Sequence, residues 1–195
     1  MKKFELTSEF NLNFFGRKFF RIKALVNIER YGVKAGDLGG WVEKEDNLSQ
    51  SGNAWVSSNA KVYGDAVVSG NAKVSGDAVV SGDAKVYGNA KVYGDAVVSG
   101  NAEVSGGAKV SGDAKVSGDA DYAVIKGFGT VYRPTTFFRC HDGEARVTCG
   151  CFYGTIDEFR EQVKRTRKGK VADEYLKIAD LMEYHFKEED SGENV

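Results

Sequence analysis

The chain has 195 residues, 42% of them hydrophobic, with 27 basic against 28 acidic side chains and a formal net charge of −1. That balance gives no overall field to concentrate nucleic acid or an anionic membrane surface, so any charge-based role has to be local. The opening MKKFELTSEFNL interrupts its apolar residues with Glu5, Ser8 and Glu9, and no run reaches the ~20 apolar residues of a membrane span. Cys140, Cys149 and Cys151 are an odd number in a short stretch and make a poor disulfide framework, so the expectation is a reduced, cytoplasmic protein.

Residues 1–32 are expected to form an N-terminal β-hairpin cap, a plug over one end of the repeat region. EFNLNFFGRKFFRIKALV reads as two alternating runs about Gly16, with Phe20, Ile22 and Ala24 on one side and Arg21 and Lys23 on the other. YGVKAGDLGGWVEKEDNLSQ then carries Val42 and Leu48 six residues apart but two residues off the later valine register, which predicts an irregular first coil.

From Asn53 to Asp121 the sequence repeats every six residues. Alanine recurs from Ala54 to Ala120, and each but the last is followed two residues later by a valine, Val56 to Val116. Positions two apart in a strand share a face, so alanine and valine point inward and the residue between them points out. Ser or Tyr, then mostly Gly and Asp or Asn, follow each valine and suit a corner. Three hexads close a triangular turn, and residues 33–121 are expected to be a single-stranded parallel β-helix of about four coils spaced ~4.8 Å apart.

Each outer face then reads as a column. One holds Trp55, Lys73, Lys91 and Lys109; the second Lys61, Val79, Val97 and Lys115; the third Val67, Lys85, Glu103 and Asp121. The lysine ladder is either a solvated face or the contact for a polyanion or acidic partner. Val79 and Val97, beside Ser81 and Ser99, form an apolar strip expected to meet another subunit or the C-terminal cap.

Residues 122–195 read as a compact α+β module. YAVIKGFGTVYR, TTFFRC and EARVTCGCF are predicted strands, the last two joined at His141-Asp142-Gly143. Thr155 and Glu158 form a capping box that starts a helix ending near Gly169. A last helix is expected from about Ala172 to Lys187, with Tyr175, Ile178, Leu181, Met182 and Phe186 as its apolar stripe.

The hexad ladder resembles the left-handed β-helix of the hexapeptide-repeat superfamily, although its glycine stands two residues after the aliphatic position, where acyltransferases of that superfamily often place it directly after. RPTTFFRC, VTCGCFYGTIDEF and GDLGGWVEKEDNLSQSGNAWV resemble a family of prophage-encoded hexapeptide-repeat proteins, over nearly the whole chain. The resemblance implies a mainly β fold with a left-handed β-helix between an N-terminal hairpin and a C-terminal α+β cap, a phage setting inside the host bacterium, and a homotrimer. It carries over no catalytic residues.

Chemistry is sparse along the chain. Hexapeptide acyltransferases use a histidine base in or beside the coils, whereas this chain has only His141 and His185, both outside the repeat. Cys140, His141, Cys149 and Cys151 match zinc-site spacing poorly, and no metal site or cofactor is expected. Cys149 and Cys151 sit just before a helix start, where a thiolate would be favoured, but lack an identifiable base, so buried structural cysteines are the simpler reading. Arg133, Thr135 and Thr136, with Cys149, Cys151 and Thr155, form a candidate binding set for a phosphate or small anion; loop capping is the bland alternative. The expected function is a non-catalytic scaffold that binds a host protein or small anionic ligand, through these residues and a surface of Lys73, Lys91, Lys109, Val79 and Val97. A hexapeptide-type acyltransferase and a self-assembling polymer are the alternatives.

Overall fold

A computed structural model of the chain describes residues 1–187. Three longer strands come first: β1 (Phe4–Leu12), β2 (Lys18–Ala24) and β3 (Leu38–Val42). Eleven two-residue strands then recur every six residues: β4 (Trp55–Val56), β5 (Lys61–Val62), β6 (Val67–Val68), β7 (Lys73–Val74), β8 (Val79–Val80), β9 (Lys85–Val86), β10 (Lys91–Val92), β11 (Val97–Val98), β12 (Glu103–Val104), β13 (Lys109–Val110) and β14 (Lys115–Val116). Each pairs in parallel with the strand one coil on, as Lys91 does with Lys73 and Lys109, so three sheets enclose one interior. Every ladder valine from Val56 to Val116 and alanine from Ala54 to Ala114 is fully buried. Burying a valine side chain contributes on the order of 1.5–3 kcal/mol, and this repeated burial holds the coil together.

The corners need glycine because backbone lies on backbone there. Gly76 has φ +73°, and a Cβ on it would stand 2.9 Å from both N and O of Gly94 in the next coil. Ser58 is the exception among these corner residues, held at φ +59° despite its side chain. Gly107 replaces the usual Asp or Asn for another reason: a Cβ there would lie 2.8 Å from Cγ of Pro134, which crosses that corner.

The first coil is irregular, as expected, and the cause is visible. Val42 lies opposite Val62 and Leu48 opposite Val68, while Val56 lies opposite Val74, so two extra residues stand between Leu48 and Gly52. They are Gln50 and Ser51. The Gln50 amide binds both N and O of Phe4 and the amide of Lys3, tying the start of β1 to the coil.

The hairpin departs from the expected plug. β1 and β2 instead extend the valine-bearing face, giving a seven-stranded sheet in the order β1-β2-β3-β5-β8-β11-β14. Phe4, Ile22 and Ala24 join the common core, but the register jumps between Leu6 and Phe10, and the tip beyond it stands in solvent. Two column readings also change. Trp55 heads the lysine column yet is 1% exposed, packed in the same core as Ala24 and Ile28. The third face ends at Glu103, and Asp121 lies in a short 3-10 turn where its carboxylate accepts from the Ser117 and Gly118 amides.

Beyond the coil, β15 (Tyr122–Ile125), β16 (Thr135–Arg139), β17 (Ala145–Cys149) and β18 (Phe152–Thr155) form an antiparallel sheet in sequence order, followed by α1 (Ile156–Thr166) and α2 (Gly169–Phe186). The predicted strand over residues 122–133 stops at Ile125, and a glycine-bearing loop continues to β16. The α1 capping box forms, with Glu158 N donating to Thr155 Oγ1 at 3.1 Å and Thr155 N to Glu158 Oε2 at 2.8 Å. Strand β16 serves two cores: Phe138 closes the coil interior, and Phe137 packs with Phe159, Tyr175 and Ile178 under the helices. The buried stripe of α2 is Ala172, Tyr175, Ile178, Ala179, Met182 and Phe186; Leu181, expected in it, is exposed.

Candidate functional site

Polar residues concentrate where the coil meets the C-terminal sheet, because the last coil ends in open strand edges that need partners. On the lysine face, Lys109 N donates to Thr136 Oγ1 at 3.0 Å and Thr148 Oγ1 donates to Lys109 O at 2.8 Å. On the third face, Glu103 N donates to Asp119 Oδ1 and the Tyr122 hydroxyl donates to Glu103 O. The valine face ends in an antiparallel bridge between Ala114 and Cys140, with His141 N donating to Asp113 O.

These contacts disperse the sequence-predicted anion set. Thr136 is spent on the Lys109 amide, and Thr135, buried on the other side of the sheet, hydrogen-bonds Cys149 Sγ at 3.2 Å. Thr155 is closed in its capping box and lies opposite Arg146, away from the Thr135–Cys149 pair. Arg133 and Cys151 are exposed near Gly150. Arg133, Thr135, Cys149 and Cys151 thus lie at one end of the sheet, while Thr136 faces the coil and Thr155 the helix cap. Nor does the cysteine and histidine set assemble, since Cys140 turns to Asp113 and Asp142 while Cys149 turns to Thr135.

The structure instead builds a cluster that spacing alone could not reveal. Asp113 from the last coil, Cys140 and Asp142 bring one ligand-type atom each within 4.8 Å of one another. Arg146 pairs with Asp142, and the Tyr153 hydroxyl donates to Asp113 at 3.2 Å. Burial, reinforced by Asp113, pushes the Cys140 thiol up to about 12, and burial, then Cys140 and Asp113, pushes Tyr153 up to about 12. A thiol so raised is protonated at neutral pH and is no nucleophile. With Arg146 offsetting Asp142, the donor set suits a latch between coil and cap better than a cation site.

A cleft of about 480 Å³ opens between the β16–β17 turn and the helices, lined by Arg139, Asp142, Glu144, Asp157, Arg160 and Glu183 among others. Its arginines are already matched: Arg160 bonds Asp157, Asp180 and Glu183, and Arg139 pairs with Asp121. The cleft therefore offers no unpaired arginine to an anion. His141 and His185 are both exposed, and a His185 ring nitrogen lies 3.1 Å from Ala120 O.

The outer columns fall as expected on strands, but the caps occupy part of them. Lys73 Nζ lies 5.1 Å over the Tyr31 ring and Lys109 Nζ donates to Gly150 O at 3.2 Å, which leaves Lys91 as the exposed middle of the ladder. Val79 and Val97 remain half-exposed. The largest apolar exposure is at the hairpin tip, which the sequence reading passed over: Phe14 is 97% and Phe15 88% exposed, next to exposed Phe10 and Leu12. The signal was present in NFFGRKFF, where the first phenylalanine pair sits at the turn beside Gly16, while in the second pair Phe19 is buried and Phe20, expected to face inward, is only partly covered. Comparison with known proteins finds no matching family model and no matching curated protein.

Proposed function

We propose that the chain is a non-catalytic binding scaffold of phage or prophage origin that presents its N-terminal hairpin to a host protein in the bacterial cytoplasm. The exposed tip carries this reading. Four large apolar residues, Phe10, Leu12, Phe14 and Phe15, stand in solvent on a projecting hairpin, and apolar surface of that kind marks a contact for another macromolecule. The half-exposed Val79 and Val97 strip supports lateral contact between copies, in keeping with a homotrimer of left-handed coils. A small anionic ligand has less support, because the threonines of the candidate set are engaged in capping and the cleft arginines are paired. An acyltransferase lacks a histidine seated in a groove, and end-to-end polymerisation is opposed by side chains that close both coil ends.

The test is affinity capture from a host lysate, comparing the wild type with the Phe14→Ser/Phe15→Ser double variant and using thermal melting to show that both are folded. The reading expects defined host proteins retained by the wild type and lost by the variant. Equal capture by both, or capture by neither, removes the hairpin as the contact.

A further inference from the structure

Charge is segregated on the C-terminal module although the chain is nearly neutral. The turn between α1 and α2 reads KRTRKGK, and Lys164, Arg165, Arg167, Lys168 and Lys170 are all exposed. Lys164 pairs with Glu161 and Lys170 with Glu174 at a looser 3.7 Å, but Arg165, Arg167 and Lys168 have no carboxylate partner among the described residues. The first turn of α2 holds no acidic residue to offset them.

A second group of side chains is tied to α2, the helix that opens at this turn. The Tyr175 hydroxyl donates to Phe128 O at 3.4 Å, which anchors the loop over residues 126–134 to that helix. In that loop Tyr132 takes φ +52°, a left-handed conformation unfavourable for a residue that carries a side chain, and it is 65% exposed. Lys126 and Arg133 are exposed on either side of it. Strain kept at an exposed aromatic next to Arg133 is unexplained by packing.

We infer that the α1–α2 turn together with Tyr132 and Arg133 binds a single-stranded nucleic acid. Guanidinium groups take phosphate oxygens in pairs, and an exposed phenol ring offers a stacking platform that tolerates any base. A duplex would need an element shaped to a groove, which a turn and a loop do not supply. A membrane surface would call for several apolar wedges among the cations, and here Val131 alone stands exposed beside the tyrosine. The inference is independent of the hairpin reading, because the two surfaces belong to opposite ends of the coil.

The experiment is fluorescence anisotropy of labelled oligo-uridine and oligo-thymidine with the full chain, beside a duplex of equal length and phosphatidylserine vesicles. If about four phosphates are neutralised, the logarithm of affinity falls with the logarithm of salt at a slope near −2.8, roughly fiftyfold between about 50 and about 200 mM. Arg167→Glu/Lys168→Glu should weaken binding at least about tenfold and roughly halve that slope. Tyr132→Ala should weaken it about fivefold or more with the slope unchanged. Circular dichroism shows whether each variant is folded; a variant that unfolds is replaced by Arg165→Gln or Tyr132→Ser. No binding of either oligomer overturns the proposal, as does preference for the vesicles. Loss in the charge variant with none in a folded tyrosine variant also overturns it, leaving a surface for polyanions in general.

Discussion

At the first coil the open backbone is met by cationic and amide donors, whereas at the last coil it is met mainly by hydroxyls. Lys3 Nζ, itself buried, donates to Ala54 O at 2.8 Å, and the Asn47 amide donates to Gly64 O and Ala66 O at 3.1 and 2.9 Å. The other end relies on Thr136, Thr148 and Tyr122, with Cys140 and Tyr153 latched to Asp113. The two ends leave different residues over. The N-terminal region keeps Lys3 and Asn47 inside and projects Phe10, Phe14 and Phe15, while the C-terminal cap buries Phe137, Phe138, Phe159 and Phe186 and projects Lys164, Arg165, Arg167, Lys168 and Lys170. A single repeat thus separates an apolar surface from a basic one.

The largest effects should come from the aromatic residues that close each end. Trp55→Ala and Phe138→Ala should each destabilise by about 3–5 kcal/mol, since both side chains are fully buried. If the ends are independent, amide exchange in Trp55→Ala should quicken around β1 to β4 and leave β16 to β18 protected. Uniform acceleration would mean the coil transmits the defect and the ends are one unit.

Intermediate effects should follow from uncapping. Thr136→Val and Thr148→Val each leave one backbone group of Lys109 without its partner, and each should lower stability by about 1–3 kcal/mol in urea unfolding. Asn47→Leu leaves two carbonyls unsatisfied and should match or exceed either. A neutral Thr148→Val would show that water reaches that edge and replaces the hydroxyl.

The smallest effect should appear as opposed pH dependences. Burial lowers Lys3 from 10.5 to about 8, so between these values the folded state has released a proton that the unfolded chain still holds, and stability from this group rises with pH. Cys140 and Tyr153 are raised from 9.0 and 10.0 to about 12, so from about pH 9 upward the unfolded chain loses protons first and stability from them falls. Lys3→Met should remove the rise and Tyr153→Phe should soften the fall, read as urea midpoints across that range. Identical alkaline profiles for wild type and both variants would refute the assignment.

The coil was legible because each alanine and valine obeys one rule in every turn, and the column reading recovered the pairing of Lys73, Lys91 and Lys109. What escaped depended on contacts between distant segments. Trp55 looks like an outward ladder residue until residues 25–37 are known to fold beside it, and Thr136 looks like a phosphate ligand until the Lys109 edge is placed against it. The Asp113 and Cys140 latch joins a repeat that reads as uniform to a strand of the cap, so no local spacing announces it. Exposure at Phe14 and Phe15 follows from the hairpin extending a face rather than plugging an end.

The measurement that bears most directly on a scaffold with two closed ends is sedimentation velocity of the wild type over a wide concentration range, supported by electron microscopy of the most concentrated sample. Closed ends predict one discrete species whose size does not grow as concentration rises. Progressive growth into filaments would contradict the account, because it would mean that the coil edges near Asn47 and Lys109 remain open to another copy.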